Sequence, residues 1–230
     1  AGKRARHALW FSPKELGWVT SQAYARKVPR WAERLTTAQR ELWKKARTWR
    51  PLDEIARRGA AAFRHLLPRV KKPTAEHMES WAYSAFSQEA LFALATEAIR
   101  DEDLGKDDIP DLLVLSVSTV DLVGHKYGQG SLESLDVQLR IDDELSRFLA
   151  VLDKRVGRGR YTVALSSDHG AARVPERAAA ADGAGRLAAK ELGELARTTL
   201  AQLLGPAPAP SDTPWLEAYD AGVGSPLELK

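Results

Sequence analysis

Two pairs of aspartate and histidine are the residues of this sequence best suited to chemistry. Asp121 and His125 lie four positions apart, and Asp168 and His169 are adjacent further along the chain. Carboxylate oxygen and imidazole nitrogen are ligands of zinc, and both groups also move protons at a reacting bond. Two metal ions about 3.5–4 Å apart can hold the attacking and leaving oxygens of a phosphoryl displacement. These residues alone predict either a metal site or an acid–base site.

One such pair would be weak evidence, because aspartate after a strand commonly starts a turn and leaves a neighbouring histidine on the surface. Here the combination occurs twice, each time after an apolar run of strand length. Gly124 and Gly170 beside the pairs would allow sharp turns that point these side chains inward. The remaining histidines have no evident carboxylate partner, so we expect His7, His65 and His77 to be surface or packing residues.

The elements around the two pairs read as one strand–helix–strand unit. Residues 111–118 and 161–165 are rich in Val and Leu, as in strands buried on both faces of a parallel sheet. Between them, Ser131 is a candidate N-cap for a helix that reaches about Val156 and ends at Gly157. The crossover should be right-handed. Ligands in open α/β sheets bind beyond the carboxyl ends of the strands, where both pairs would lie.

Other parts of the chain predict further helices and a Trp-rich first third. Periodic apolar positions predict helices over residues 36–50, from an N-cap at Ser87 to Arg100, and over residues 186–204. Six of the seven tryptophans fall within the first 81 residues. Tryptophan can stack on bases or sugars, but packing in a core is the more common role, and we expect packing here.

The composition excludes several classes of protein. Of the 230 residues, 44% are hydrophobic and 28% are charged, which is enough apolar material for a core. No apolar run approaches 18 residues, so no transmembrane helix is expected. The absence of cysteine excludes disulfides and thiolate sites. A net charge of +3, from 34 basic and 31 acidic residues, is too small to indicate a nucleic-acid partner.

The alternatives to a metal-dependent enzyme are a serine hydrolase, a P-loop protein and a non-catalytic module. A serine hydrolase could use Ser166 or Ser167 beside Asp168 and His169, but no G-x-S-x-G elbow is present and adjacent turn residues point apart. The segment GHKYGQGS does not have the spacing of a phosphate-binding P-loop. A non-catalytic interaction module, with little or no metal binding, stays open.

The segments that carry the two pairs resemble a known family. STVDLVGHKYGQGS is similar to the motif S-S-T-D-Y-V-G-H-x-F-G-P-x-S, and a helix with D…R-x-D-x-x-L and then SSDHG follow in the same order. These motifs resemble the alkaline phosphatase superfamily. The resemblance is closest to the type I phosphodiesterase/nucleotide pyrophosphatase branch and its bacterial zinc-dependent alkaline phosphatases with a threonine nucleophile. Tyr127 in place of Phe and Gln129 in place of Pro are the small departures.

The resemblance implies a phosphate-ester hydrolase with two zinc ions. Asp121 and His125 would ligate one zinc, and Asp168 and His169 the other. In the family, a later histidine completes the first site, while an N-terminal aspartate and the threonine nucleophile complete the second. No histidine follows His169, and no nucleophile is identifiable in this sequence. We therefore expect weak zinc binding and no turnover by this chain alone, because catalytic zinc usually has three protein ligands. The choice between monoester and diester substrates stays open.

The implied fold is part of an alkaline-phosphatase-like α/β sandwich, with a mostly parallel central sheet flanked by helices. We expect residues 1–84 to form a Trp-rich cap or inserted region, 85–205 the metal-site part, and 206–230 a Pro-rich linker leading to a further segment. The family resemblance also implies a periplasmic or secreted location; the oligomeric state is not indicated. Only two strands can be read, and the chain starts at Ala1 with Met78 as its one methionine, so we expect an internal fragment.

Overall fold

The chain divides into two units, residues 1–173 and 174–230, which are described separately. The structure is a computed structural model. It describes residues 5–57, 63–172, 174–177, 183, 185, 188–205, 216–217 and 228–229. The expected domain limits at residues 84 and 205 stay a prediction, and most of the expected linker over 206–230 lies outside the described residues.

The first unit consists of helices and two small antiparallel hairpins. Strand β1 pairs with β2, and β3 pairs with β4, so that Trp49 lies opposite His65. The elements in chain order are β1 (Trp10–Ser12), β2 (Gly17–Val19), α1 (Arg30–Trp43), β3 (Arg47–Trp49), α2 (Asp53–Arg57), β4 (His65–Leu67), α3 (Ala75–Ala82), α4 (Phe86–Asp101), α5 (Thr119–Tyr127) and α6 (Leu132–Leu152).

Two predicted helix boundaries are wrong. The helix expected over residues 36–50 begins at Arg30, after Pro29, and ends at Trp43, while Trp49 lies on strand β3 instead. Ser87 is not an N-cap, because α4 already begins at Phe86. The Ser87 hydroxyl donates to main-chain carbonyls of the preceding turn. Apolar spacing along the sequence does not mark the exact residue at which a helix begins or ends, because contacts with distant residues also set these boundaries.

The prediction for the long helix before the second Asp–His pair is confirmed. Helix α6 begins after Ser131, whose hydroxyl oxygen accepts a hydrogen bond from the main-chain N–H of Ser134 at 3.1 Å. It continues into a π-helical turn over Asp153–Gly157. Gly157 has φ +109°, a conformation that favours glycine and ends the helical run.

The two segments expected to be parallel strands carry no secondary structure. Residues 111–117 and 161–165 pair neither with each other nor with another described strand, and the sheets that are described are all two-stranded and antiparallel. Several of their side chains are exposed, including Leu112, Val114 and Leu165. A parallel central sheet therefore stays a prediction.

Five of the six tryptophans in the first third are buried in the core of the first unit, as expected, whereas Trp10 is 45% exposed. Phe11 contacts Trp18, Trp43 and Trp81, with ring centroids 5.1–5.8 Å apart in edge or tilted arrangements. Aromatic pairs of this geometry contribute about 0.5–1.5 kcal/mol beyond the area they bury. The same core includes Val123 of α5, so packing of the first third supports the helix that carries Asp121 and His125.

The described residues of the second unit include one long helix. Helix α7 (Ala189–Leu204) agrees with the predicted helix over the described positions and ends at Gly205, which has φ +81°. A short 3₁₀ turn covers Pro175–Arg177, and strands β5 (Leu216–Glu217) and β6 (Glu228–Leu229) pair antiparallel. In the part of the chain that the structure describes, no helix combines the length and hydropathy needed to span a bilayer.

Candidate metal centre

Helix α5 carries the first Asp–His pair on one face. Asp121 and His125 are four residues apart, which places their side chains one turn above each other. The Nε2 atom of His125 lies 3.4 Å from Oδ1 of Asp121, and both side chains are largely open to solvent. The helix was not predicted, although the four-residue spacing was the signal that could have indicated it.

The second pair lies in the irregular segment after residues 161–165, and it faces the first. His169 Nε2 is 3.7 Å from Asp121 Oδ1 and also 3.7 Å from Asp168 Oδ2. Three of the four predicted residues therefore meet at one carboxylate oxygen of Asp121. Asp168 lies at the edge of the cluster with its side chain 89% exposed, and its Oδ1 accepts a hydrogen bond from the main-chain N–H of His169.

The orientation of the His169 ring determines which nitrogen is available to a metal. Nδ1 lies 2.8 Å from the Gly170 carbonyl oxygen, which can only accept, so Nδ1 carries the proton. In the neutral ring, Nε2 then presents its lone pair toward Asp121. The Gly170 carbonyl, and after it the charges of Asp168 and Asp121, raise the pKa of His169 above its usual value.

The donor types and the first separation fit a zinc ion. Ligand atoms about 2.0–2.1 Å from a tetrahedral zinc lie about 3.3–3.4 Å from each other. The 3.4 Å between Asp121 and His125 agrees with that spacing. Within the described ranges, however, no three His, Cys, Asp or Glu side chains form a complete group that could hold a metal ion. The assignment of two ligands to each zinc therefore stays a prediction.

Helix α5 is held from both ends by contacts that sequence reasoning missed. The hydroxyls of Thr119 and Ser87 are 2.8 Å apart, which joins the start of α5 to the start of α4. Gly124 was expected to allow a turn, and that interpretation is wrong, because Gly124 lies inside the helix. Gly124 lies close to the side-chain amide of Gln129, and a Cβ at this position would require the Gln129 side chain to move.

The end of α5 packs against an aromatic group on the β3–β4 hairpin. Tyr127 lies 4.7 Å from the His65 ring and 5.9 Å from Trp49, measured between centroids. His65 donates from Nε2 to Glu133 Oε1 at 2.9 Å, and His7 lies 3.0 Å from a Glu102 oxygen. The expectation that these histidines have no carboxylate partner is therefore wrong. Burial and the nearby charge of Glu133 raise the pKa of Tyr127.

Serine chemistry finds no support in the geometry. The Ser167 hydroxyl donates to the His169 carbonyl oxygen at 2.5 Å, and the Ser166 hydroxyl donates to the Ser167 carbonyl at 3.2 Å. Neither hydroxyl is hydrogen-bonded to a ring nitrogen, as a serine nucleophile would be to its base.

Comparison with known proteins identifies the family. A sequence model of the type I phosphodiesterase/nucleotide pyrophosphatase family matches residues 11–208. The chain belongs to this family. It is 32% identical over 187 residues to "Alkaline phosphatase PafA" of Elizabethkingia meningoseptica, with 75% of this chain and 34% of that protein covered. It is 30% identical over 198 residues to a "Calcium-transporting ATPase" of Myroides odoratus, with 76% and 35% covered.

A solved structure supports the assignment to the phosphodiesterase family. The crystal structure of wild-type alkaline phosphatase PafA superimposes with a TM-score of 0.71 at 28% identity, covering 89% of this chain and 42% of that chain. The resemblance inferred from the motifs is thereby confirmed, and the fold is alkaline-phosphatase-like with mixed helix and strand content. The chain spans about a third of the length of the curated relatives that it matches.

Proposed function

We propose that this chain is part of a two-metal phosphate-ester hydrolase and carries two protein ligands of each zinc ion. The single observation that supports this most strongly is the meeting of His125 and His169 at Oδ1 of Asp121, from two separate segments of the chain. Membership of the phosphodiesterase family supports hydrolysis of a phosphate ester. In this proposal Asp121 and His125 hold one zinc, and Asp168 and His169 hold the other.

In this proposal, the residues of the chain bind the zinc ions and orient the ligand side chains. Asp121 presents an anionic oxygen to both histidines, and the Gly170 carbonyl holds the His169 ring with Nε2 toward that oxygen. Zinc bound there would supply activation of the attacking oxygen and stabilisation of the leaving oxygen. Each site has only two ligands, so we propose that the isolated chain binds zinc weakly and does not turn over substrate. The nucleophile would be supplied from outside these residues.

The family resemblance also supports two proposals, one about the central sheet and one about the location of the protein. We propose that residues 111–118 and 161–165 are strands of a mostly parallel central sheet in the complete protein, with α4 and α6 on one face. We also propose a periplasmic or secreted location, which cell fractionation of the source organism would test.

Zinc titration by calorimetry tests the site. The wild-type chain should give a weak binding isotherm, and Asp121→Asn should reduce the heat of binding, because one of the two proposed sites then keeps only His125 as a ligand. Asp142→Asn is the matched control, since Asp142 is exposed on α6 and belongs to neither pair. Identical flat traces for the wild type and Asp121→Asn would reject metal binding by this chain.

Ester hydrolysis is a separate measurement. The full-length gene product should cleave p-nitrophenyl phosphate or bis-p-nitrophenyl phosphate, and the ratio of the two rates would decide between monoester and diester substrates. The 230-residue chain should cleave neither. A full-length protein that binds zinc but cleaves no phosphate ester would favour the non-catalytic alternative.

A further inference from the structure

Four basic residues lie at one end of the β3–β4 hairpin without a counter-ion. This is the open end of the hairpin, away from the chain that connects its two strands. All four side chains are exposed, and none forms an ion pair within the described ranges. The basic end of the hairpin consists of Lys45, Arg69, Lys71 and Lys72. Lys44, which lies among them, pairs with Glu41 instead.

The register of the hairpin places two of these cations opposite each other. The main-chain N–H of Val70 donates to the Lys44 carbonyl at 3.0 Å, which continues the register of the two strands. Lys45 therefore lies opposite Arg69. Like charges directly across an antiparallel pair repel each other and destabilise it. The hairpin gains no stability from this pair of cations, whereas an anionic partner would remove the repulsion.

The segment that carries the basic end is held by hydrogen bonds on both sides. The Val70 bond joins it to the end of α1. The hydroxyl oxygen of Thr74 caps α3 by accepting from the main-chain N–H of His77. The His77 ring donates from Nε2 to the Trp43 carbonyl at 3.0 Å, which joins α3 to α1. The cations therefore lie on a segment tied to two helices, so little ordering is needed when a partner binds.

Two exposed leucines lie beside the basic end. Leu42 on α1 is 53% exposed, and its carbonyl accepts from the main-chain N–H of Lys45 at 3.1 Å. Leu66 on β4 is 60% exposed and lies opposite Thr48. Basic residues next to exposed apolar side chains suit an anionic bilayer, where cations contact the headgroups and apolar groups enter the interface. The phosphates of a nucleic acid would contact the cations only.

We propose that the basic end of the hairpin, together with Leu42 and Leu66, binds the surface of a bilayer that contains anionic phospholipids. The observation that supports this most strongly is the unpaired juxtaposition of Lys45 and Arg69 beside exposed leucines. Each Lys or Arg near such a surface strengthens binding about fivefold, and the attraction weakens as salt is added. The inference depends on neither zinc binding nor ester hydrolysis.

Co-sedimentation of the full-length gene product with vesicles tests the proposal. The vesicles contain phosphatidylcholine with about one-third phosphatidylglycerol, and vesicles of phosphatidylcholine alone are the control lipid. The wild type should bind only the anionic vesicles. Lys71→Gln combined with Lys72→Gln should weaken this binding about 25-fold, from about fivefold for each cation.

Lys106→Gln combined with Lys154→Gln is the matched control for the lysine variant. Both lysines are exposed and lie outside the basic end, and the change in net charge is the same. This control should weaken binding to the anionic vesicles by less than about threefold, because charges far from the contact are screened.

Leu42→Ser combined with Leu66→Ser distinguishes a bilayer from a nucleic acid. Binding to the anionic vesicles should fall about tenfold, because each serine loses the apolar contact that leucine makes with the interface. Binding to a nucleic acid would not change. Thermal unfolding midpoints within about 2 °C of the wild type show that each variant is folded.

Three results would overturn the proposal. Equal sedimentation of the wild type with anionic and neutral vesicles, or none with either, would exclude recognition of anionic lipid. Equal losses in the lysine variant and its control would assign binding to net charge instead of the basic end. Binding to a DNA duplex that the leucine variant retains, without binding to vesicles, would assign this surface to nucleic acid.

Discussion

The buried carboxylate of Asp136 is a position at which a conservative substitution should destabilise the fold strongly. Asp136 lies on α6 with no exposed surface. Its Oδ2 accepts from Trp49 Nε1 at 2.6 Å and from Arg140 Nε at 2.7 Å, and its Oδ1 accepts from the main-chain N–H of Leu52 at 2.7 Å. One side chain thus joins the β3–β4 hairpin to α6.

Asp136→Asn keeps the shape of the side chain but not its acceptors. An amide has one oxygen and one NH₂ group. The NH₂ group must therefore replace either Oδ1 or Oδ2 of Asp136, and at that position its N–H groups would face another N–H donor. With the NH₂ toward Trp49, the indole N–H and the Arg140 guanidinium both lose their acceptor. With the NH₂ toward Leu52, the main-chain N–H of Leu52 loses its acceptor. Breaking a buried ion pair by removing one partner costs about 3–5 kcal/mol, and we expect a loss of about 3 kcal/mol in the free energy of unfolding.

Urea unfolding followed by circular dichroism at 222 nm measures this loss. Asp142→Asn, an exposed position on the same helix, should change stability by less than about 0.5 kcal/mol. A double-mutant cycle with Trp49→Phe should give a coupling energy of about 1 kcal/mol, because the two side chains share a hydrogen bond. An Asp136→Asn chain within about 0.5 kcal/mol of wild type would refute the acceptor argument.

Two further predictions concern the turn after α4 and the segment after α6. Gly105→Ala should destabilise the chain by more than Gly159→Ala. Both glycines have positive φ, but only a Cβ at Gly105 would contact Val156, at 2.7 Å. Thermal unfolding of the two variants measures the difference in stability, and equal losses would contradict the prediction. Tyr161 donates to Asp153 at 2.7 Å, and this hydrogen bond lowers the pKa of Asp153 and raises that of Tyr161. The Asp153 contribution to stability should be present above its unfolded-state pKa and lost as pH falls through the lower folded-state value. Tyr161→Phe should return the Asp153 pKa upward toward its usual value, measured by NMR titration of the carboxyl carbon, and an unmoved pKa would contradict the assigned cause.

Predictions from local periodicity agree with the structure where contacts within one helix determine its limits. Helix α6 has its cap, its apolar spacing and its terminating glycine within about 25 consecutive residues, so the pattern contains what forms it. Helix α1 and strand β3 differ, because Trp49 pairs with Asp136, 87 positions away in sequence. No local pattern reports that contact, so the predicted helix continued through a residue that belongs to a hairpin.

The candidate site shows the same division between local and distant information. Residue type and spacing identified Asp121, His125, Asp168 and His169, and the motifs around them identified the family. That His169 reaches Asp121 Oδ1 depends on how α5 and the segment after residues 161–165 are placed. Thr119, Gln129 and Tyr127 hold α5 through contacts whose partners include Ser87 and His65.

The sequence by itself determined the kind of chemistry that this chain can take part in, because ligand type is a property of side chains and their order. It also determined the long helices, because their capping and periodicity are local. Only the tertiary structure decided that three of the four residues meet at one oxygen, and that the two apolar segments do not pair with each other in the described part of the chain. Distances between segments depend on packing across the whole unit, and packing is not encoded in any one stretch of residues.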